Sequence, residues 1–430
     1  MPEISVGAQI FDVVFHPTAA TVYTGLLTGH VKGYAYDDQG NQKLTFNVRP
    51  SKSSCRGLSL NQDGSRLYAV GKGKSLSILD TTTETVDLRA RAHETSINRV
   101  KHLMPWLLAT GDDEGVIKLW DPRQKEAVRE YTQHFDYITD FLWLNGKKQL
   151  VATSGDGTLS VIDVRSKASK SVAQSEDQED ELLSIVSIKG GAKVAVGTQL
   201  GILSIFNPKN GWGDCVDRIP GHPLSVDTMC ALPEELPSVD TQSTILTGSS
   251  DGFVRAIQIL PSKLLGVVAD HGEWPIERIA VGGCVSHLTV ESNPTAPAGS
   301  RIAASQKFEE SEEHKSSGTW WIASVGHDEV LRLTDLEAFF QKSHTDAELS
   351  HHDSEGADHE DDDSDDEVAL PVEEFSTQPS AEEEGDTPEE DIASKKRTHT
   401  EKGGSPPAKK KKRMTKKKVI DIESAFFDGL

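Results

Sequence analysis

The chain has 430 residues, of which 36% are apolar, and a formal net charge of −23. So low an apolar share excludes a chain that folds into a packed core along its whole length, and no apolar run approaches the ~18 residues that cross a bilayer. The opening MPEISVGAQIFDVVFHP lacks the basic and apolar regions of a secretory signal, and Cys55, Cys215, Cys230 and Cys284 include no close pair, which disfavours a zinc site or disulfide framework and suits a reducing compartment.

From the N-terminus, EISVG and IFDVVFHP read as two strands. A phrase then recurs seven times: TGLLTGHVKGYAYD ending at Asp37, AVGKGKSLSILD at Asp80, ATGDDEGVIKLWD at Asp121, ATSGDGTLSVID at Asp163, AVGTQLGILSIFN at Asn207, LTGSSDGFVRAIQ at Gln258 and ASVGHDEVLRLTD at Asp335. The ends are 43, 41, 42, 44, 51 and 77 residues apart. Each phrase is an apolar run, a turn of Gly, Asp and Ser, and an alternating run, which predicts a β-hairpin. Two further short strands fit between phrases, such as ETVDLRA and SINRVKHL before the third, and AVREYTQ and YITDFLWL before the fourth. Four strands in each ~40–45 residues, seven times over, predict an all-β, seven-bladed β-propeller across residues 1–340. EISVG is expected to complete the last blade and so remove an exposed edge. LEAFFQ, after the last phrase, reads as a short helix or tether.

The third phrase carries a set of polar residues that resembles the WD40 repeat family: His93 before the first inner strand, Thr110, the turn acids Asp113 and Glu114, and Trp120. The resemblance implies a hydrogen-bonded chain that pins the turn of each blade. The fourth copy keeps His134, Ser154 and Asp156 with Ile162 for Trp. The sixth keeps His222, Ser249 and Asp251 with Ile257, and the seventh His271, Ser324 and Asp328 with Thr334. The first, second and fifth lack most of the set, so apolar pattern alone carries them. Residues 291–318, rich in Pro, Ala, Ser and Glu, are expected to form a mobile loop inserted in the last blade, at little cost in closure entropy.

Motifs that suggest chemistry have plainer readings. GSSDG (248–252) matches a hydrolase nucleophile elbow around Ser250, but that motif needs a following helix, and FVRAIQI reads as a strand. GKGKS (71–75) ends like a phosphate loop, yet Tyr68 stands where that loop needs Gly. The histidines fall at repeat turns, where a structural hydrogen bond is expected rather than a metal, and HTDAELSHHDSEGADHE lacks the partners that fix metal ligands. No pair of carboxylates stands out as an acid/base couple. No enzyme activity, cofactor or metal is expected.

Charge reverses sharply after the repeats: residues 345–394 hold 21 Asp and Glu and no Lys or Arg, whereas 395–418 hold 12 Lys and Arg and one acid. The span 341–394 is expected to be disordered and to serve either as a solvating linker or as an electrostatic lure for basic proteins such as ribosomal proteins or histones. Ser364, among acids, suits an acidophilic kinase. Lys395, Lys396 and Arg397, with Lys409, Lys410, Lys411, Lys412 and Arg413, form a two-part basic cluster of the nuclear-import type. Any RNA contact there would be through phosphate, non-specific and salt-dependent, since no aromatic residue interleaves the lysines. No membrane association is expected. The last residues, 419–430, place Val419, Ile420, Ile422, Phe426, Phe427 and Leu430 near helical spacing, as in a docking segment that folds on binding.

This arrangement, with FDVVFHP, GDDEGVIKLWD and the terminal AFFDGL, resembles the WD repeat-containing protein 55 family. The resemblance implies a non-enzymatic nuclear and nucleolar scaffold in ribosome biogenesis, monomeric within larger complexes, whose partners are pre-ribosomal or ribosomal proteins. The alternative is a substrate-receptor or chromatin adaptor for a ubiquitin ligase or another enzyme complex. Such receptors commonly show Trp-Asp-x-Arg after a blade strand, as in WDPR ending at Arg123 and, partly, IDVR ending at Arg165. Arg123, Arg165, Phe426 and Phe427 are therefore candidate partner contacts.

Overall fold

Alternation in sequence becomes short antiparallel strands throughout the body of the chain. GVIKLW supplies the strand Ile117–Trp120, which buries Ile117, Leu119 and Trp120 and leaves Lys118 half-buried. A computed structural model describes residues 2–37, 39–237, 239–283 and 319–342. Twenty-eight strands among them form seven four-stranded antiparallel sheets. Blades 1 to 6 are consecutive, over residues 10–48, 55–89, 97–131, 138–174, 182–219 and 226–270. Blade 7 takes Ile276–Gly283, Trp320–Gly326 and Val330–Asp335 from one end of the chain and Glu3–Ser5 from the other. Every recurring phrase forms the second and third strands of its blade, as the repeat predicts.

The N-terminal strand completes the ring. Glu3, Ile4 and Ser5 pair with Arg332, Leu331 and Val330. Just past this strand, Val6 and Ala8 enter the core shared by blades 7 and 1, with Trp321 and Val325.

A single small sheet cannot bury both faces, and stacking in a ring covers them. Seven apolar clusters lie one at each interface between neighbouring blades, including that between the last and the first. The interfaces are close-packed: a Cβ on Gly111 of blade 3 would stand 2.6 Å from Ile138 of blade 4. After the last blade strand a helix occupies residues 336–342. It buries Leu336 and Phe340 in the cluster between blades 6 and 7, so LEAFFQ is a packed part of the ring. The expected insertion 291–318, Cys284, Ser364, the acidic stretch 343–394, the basic cluster with Lys395–Arg397 and Lys409–Arg413, and the terminal segment with Phe426 and Phe427 lie outside the described residues.

Candidate functional site

The first strand of every blade has the same irregularity. Its pairing with the second strand skips one residue: Phe11, Arg56, Asn98, Thr139, Leu183, Asp227 and Glu277 in blades 1 to 7. A β-bulge re-aims the side chain it releases. All seven released residues line one cavity of about 440 Å³ at the mouth of the central channel. A second cavity, about 570 Å³, opens at the other end of the channel.

The residues just after the bulges point inward and close the channel with charge. Arg278 of blade 7 grips Asp140 of blade 4 through Nη1 and Nη2 at 3.2 and 3.1 Å, and its Nε stands 3.5 Å from Asp12 of blade 1. Asp12 also accepts the Leu58 N–H of blade 2 at 2.6 Å, and Arg99 donates to the Thr139 carbonyl of blade 4 at 2.6 Å. Burial pushes the Asp12 carboxyl up from its ordinary value, against the pull of Arg278 and Arg99. Burial acts the same way on Asp140, but there Arg278 and Arg99 outweigh it and the group is held low. The fork on Asp140 is the direct one, so we take Arg278–Asp140 as the ion pair and Asp12 as its flank.

At the mouth the groups pair more loosely. Arg56 bonds Asn98 at 2.7 Å and Asp113 at 3.1 Å. Glu277 contacts His327, and the Tyr137 hydroxyl donates to Glu181 at 2.8 Å. The Tyr137 ring packs against Gly155, where a Cβ would meet it at 2.4 Å. Among the described residues, Asp227 accepts from two hydroxyls, Ser250 at 2.7 Å and Ser225 at 3.0 Å. Desolvation raises its pKa, with Glu277 and Asp251 adding to the rise against the two serines.

The polar chain inferred for the third phrase exists with one different member. Trp120 Nε1 donates to Thr110 Oγ1 at 2.8 Å, Thr110 lies 2.6 Å from His93 Nε2, and His93 Nδ1 lies 2.8 Å from Asp112. Asp112 in turn accepts the Glu114 and Val116 N–H groups of the turn. The expected acid was Asp113. Asp112 is the last residue of the strand Leu107–Asp112 and turns inward, whereas Asp113 begins the turn and faces Arg56 at the mouth.

Two hydroxyls also differ from expectation. His134 bonds Asp156 at 3.0 Å and Ser160 at 2.8 Å, while Ser154 donates to the Asp136 carbonyl. Ala152 holds the position that Thr110 holds in blade 3, and Ser160 is its cross-strand partner, so the hydroxyl comes from the neighbouring strand. His222 bonds Thr247 at 3.0 Å rather than Ser249, because Thr247 is the residue in register; Asp251 is gripped by Arg255 at 2.7 Å. In blade 7 His271 meets Asp328 at 2.7 Å and Ser324 at 2.9 Å, although 57 residues separate His271 from Asp328.

Arg123 and Arg165 lie at the end of the ring opposite the 440 Å³ cavity, in turns after third strands. Each forks onto the Asp two residues earlier, with Nη2 contacts of 2.7 Å to Asp121 and Asp163. These hydrogen bonds hold both aspartates at about 2. Arg123 also stacks on Trp106 at 5.2 Å. Ser250 precedes the strand Phe253–Gln258 as expected. Among the described residues no group of three or more His, Cys, Asp or Glu is arranged to hold a metal ion.

Comparison with known proteins gives a consistent picture. The family model WDR55 matches residues 1–293. The chain is 63% identical over 361 residues to WD repeat-containing protein JIP5 of Laccaria bicolor, covering 81% of this chain and 79% of that protein. It is 34% identical over 352 residues to WD repeat-containing protein 55 of Arabidopsis thaliana, covering 80% and 85%. Against WD repeat-containing protein 55 of Rattus norvegicus the identity is 34% over 284 residues, covering 66% and 71%.

Proposed function

The chain belongs to the WDR55 family, and from that premise we propose that it is a nuclear and nucleolar scaffold, without catalysis of its own, that serves the production of ribosomal RNA and the assembly of ribosomes. Its WD-repeat propeller is of a kind that mediates protein–protein contact. One observation carries the reading: bulge residues from all seven blades converge on one open mouth, above a channel closed by Arg278, Asp140 and Asp12. The charges deep in the channel are committed to each other and to backbone, which leaves the ends of the ring to recognise partners. The acidic stretch and the basic cluster of Lys395–Arg397 and Lys409–Arg413 support nuclear address and contact with basic ribosomal proteins. Depletion in cells, with pulse-labelling of ribosomal RNA and imaging of the tagged chain, tests the proposal. Unchanged precursor RNA with the tagged chain outside the nucleolus would sink it.

The adaptor alternative keeps one specific support, the paired guanidinium forks of Arg123 and Arg165 on adjacent blades. Arg123→Glu with Arg165→Glu separates the two readings. Loss of a ligase complex from the purified chain, with ribosomal RNA production intact, favours the adaptor; normal association with pre-ribosomes and no ligase favours the scaffold.

A further inference from the structure

The two ends of the ring are not alike, and neither are the sectors of the end that holds the mouth. In an up-and-down sheet, the connections entering each blade and the turns between its second and third strands share one end. For blades 4 to 7 these segments are 132–137, 175–181, 220–225 and 271–275, with turns 155–158, 199–202, 250–252 and 327–329. Together they contain eleven Asp or Glu and no Lys or Arg. The same segments of blade 2 contain Arg49, Lys52, Lys72 and Lys74. The segments entering blade 3 and its turn mix Arg91 with Glu94, Asp113 and Glu114, so the arc of blades 4 to 7 is set apart by having acids and no Lys or Arg.

Large apolar side chains stand out of that arc. Phe135 is 90% exposed, Trp274 53%, Leu224 51% and Leu200 47%. Each belongs to a different blade, and each sits beside a mouth residue or an acidic connection. Phe135 precedes Tyr137 by two residues, Trp274 precedes Glu277 by three, Leu224 precedes Asp227 by three, and the Leu200 N–H bonds Asp180. Within the mouth, no cation lies at ion-pair distance from Asp227 among the described residues, and its hydrogen bonds come from Ser225 and Ser250. A half-buried carboxylate so placed is best served by an incoming cation.

We propose that this arc docks an extended Lys/Arg-rich segment of a protein partner, with one cationic side chain entering the mouth at Asp227 and apolar side chains resting on Phe135, Leu224 and Trp274. The inference rests on the scaffold reading and names its partner class. Nucleic acid is disfavoured because an arc whose connections and turns hold acids and no Lys or Arg repels phosphate. A segment in trans is favoured over the chain's own residues 395–418, because the 21 acids of residues 345–394 adjoin that segment and compete for it at high effective concentration.

The test uses the full chain and two fluorescein-labelled synthetic peptides, one alternating Arg and Leu, the other alternating Arg and Gly at equal charge. Binding is followed by fluorescence anisotropy, with melting curves to show that variants stay folded. The chain is expected to prefer the Arg/Leu peptide. Phe135→Ser with Trp274→Ser, and separately Asp227→Asn, should each weaken it about tenfold or more. Arg/Gly binding, carried by the acidic stretch, should stay unchanged. Equal Arg/Leu affinity in the original chain and both variants overturns the proposal. Binding that emerges only after Lys409→Gln through Lys412→Gln also overturns it, by making the chain's own segment the occupant. The cellular assay of ribosomal RNA reads the scaffold function separately, so a loss there with peptide binding intact identifies which of the two has failed.

Discussion

Arg278 and Asp140 are 138 residues apart and meet across the channel through two parallel hydrogen bonds. The pair ties blade 7 to blade 4, while the Arg278 contact with Asp12 ties blade 7 to blade 1. Neighbouring blades hold each other by apolar packing, whereas the Arg278–Asp140 pair joins two blades that share no interface.

Arg278→Met should therefore be costly. Removing the guanidinium leaves Asp140 buried without its hydrogen-bonded cation and Asp12 with only the more distant pull of Arg99, a loss of about 3–5 kcal/mol. Adding Asp12→Asn and Asp140→Asn should restore part of it, since both stranded carboxylates are then neutral and Arg99 keeps its bond to the Thr139 carbonyl. Urea unfolding of the single and triple variants decides the matter; a single variant as stable as the original chain would show that the cluster does not hold the ring.

Thr110→Val should destabilise by about 2–4 kcal/mol, because it strands both the Trp120 N–H and His93 Nε2 in a buried site. Thr110→Ser keeps the hydroxyl and should cost much less. Ser160→Ala is expected to disturb His134 more than Ser154→Ala does, which thermal melts of the two variants can rank. The opposite ranking would contradict the register derived for blade 4.

His222 makes stability depend on pH. Its burial, followed by the Arg255 charge, lowers its pKa to about 4, against about 6.5 in the unfolded chain. Between those values the unfolded chain takes up the proton and the folded chain refuses it. This contribution is thus complete above about pH 6.5 and is lost as pH falls toward 4, by about 2 kcal/mol between pH 7 and pH 5. His222→Gln should shrink the difference between urea midpoints at those two pH values. An unaltered difference would assign the effect to other groups.

Removing residues 2–8 should lower the melting temperature and expose the edge of Val330–Asp335 to intermolecular pairing. Light scattering that rises with protein concentration is the expected signature. A variant that melts and stays monomeric like the full chain would mean that Glu3–Ser5 contributes little to closure.

Legibility followed local chemistry. The phrase ending at Asp121 disclosed hairpin, blade and repeat because turn residues and two-residue alternation act within a few positions. The misplaced members, Asp113, Ser154 and Ser249, are each displaced by one or two residues from their working counterparts or lie on the neighbouring strand. Phrase alignment cannot distinguish the end of a strand from the start of a turn, and a shift of one residue, as from Asp112 to Asp113, turns a side chain from the core to the mouth. The bulges did leave a trace. In every first strand two buried apolar residues stand three apart where a regular strand would place them two apart: Ile10 and Val13, Cys55 and Leu58, Ile97 and Val100, Ile138 and Phe141, Leu182 and Ile185, Val226 and Met229, Ile276 and Ile279. That spacing marks the released residue between them.

The number of blades, their order and the strand that completes the ring were determined by sequence alone, because each depends on periodic burial and on turns that close locally. Which side chains share the mouth was decided only by tertiary structure. Phe11 and Glu277, or Asp12, Asp140 and Arg278, occupy like positions in blades far apart along the chain; closure of seven sheets into a ring brings them to one axis, where burial makes charged groups that were distant in sequence depend on each other.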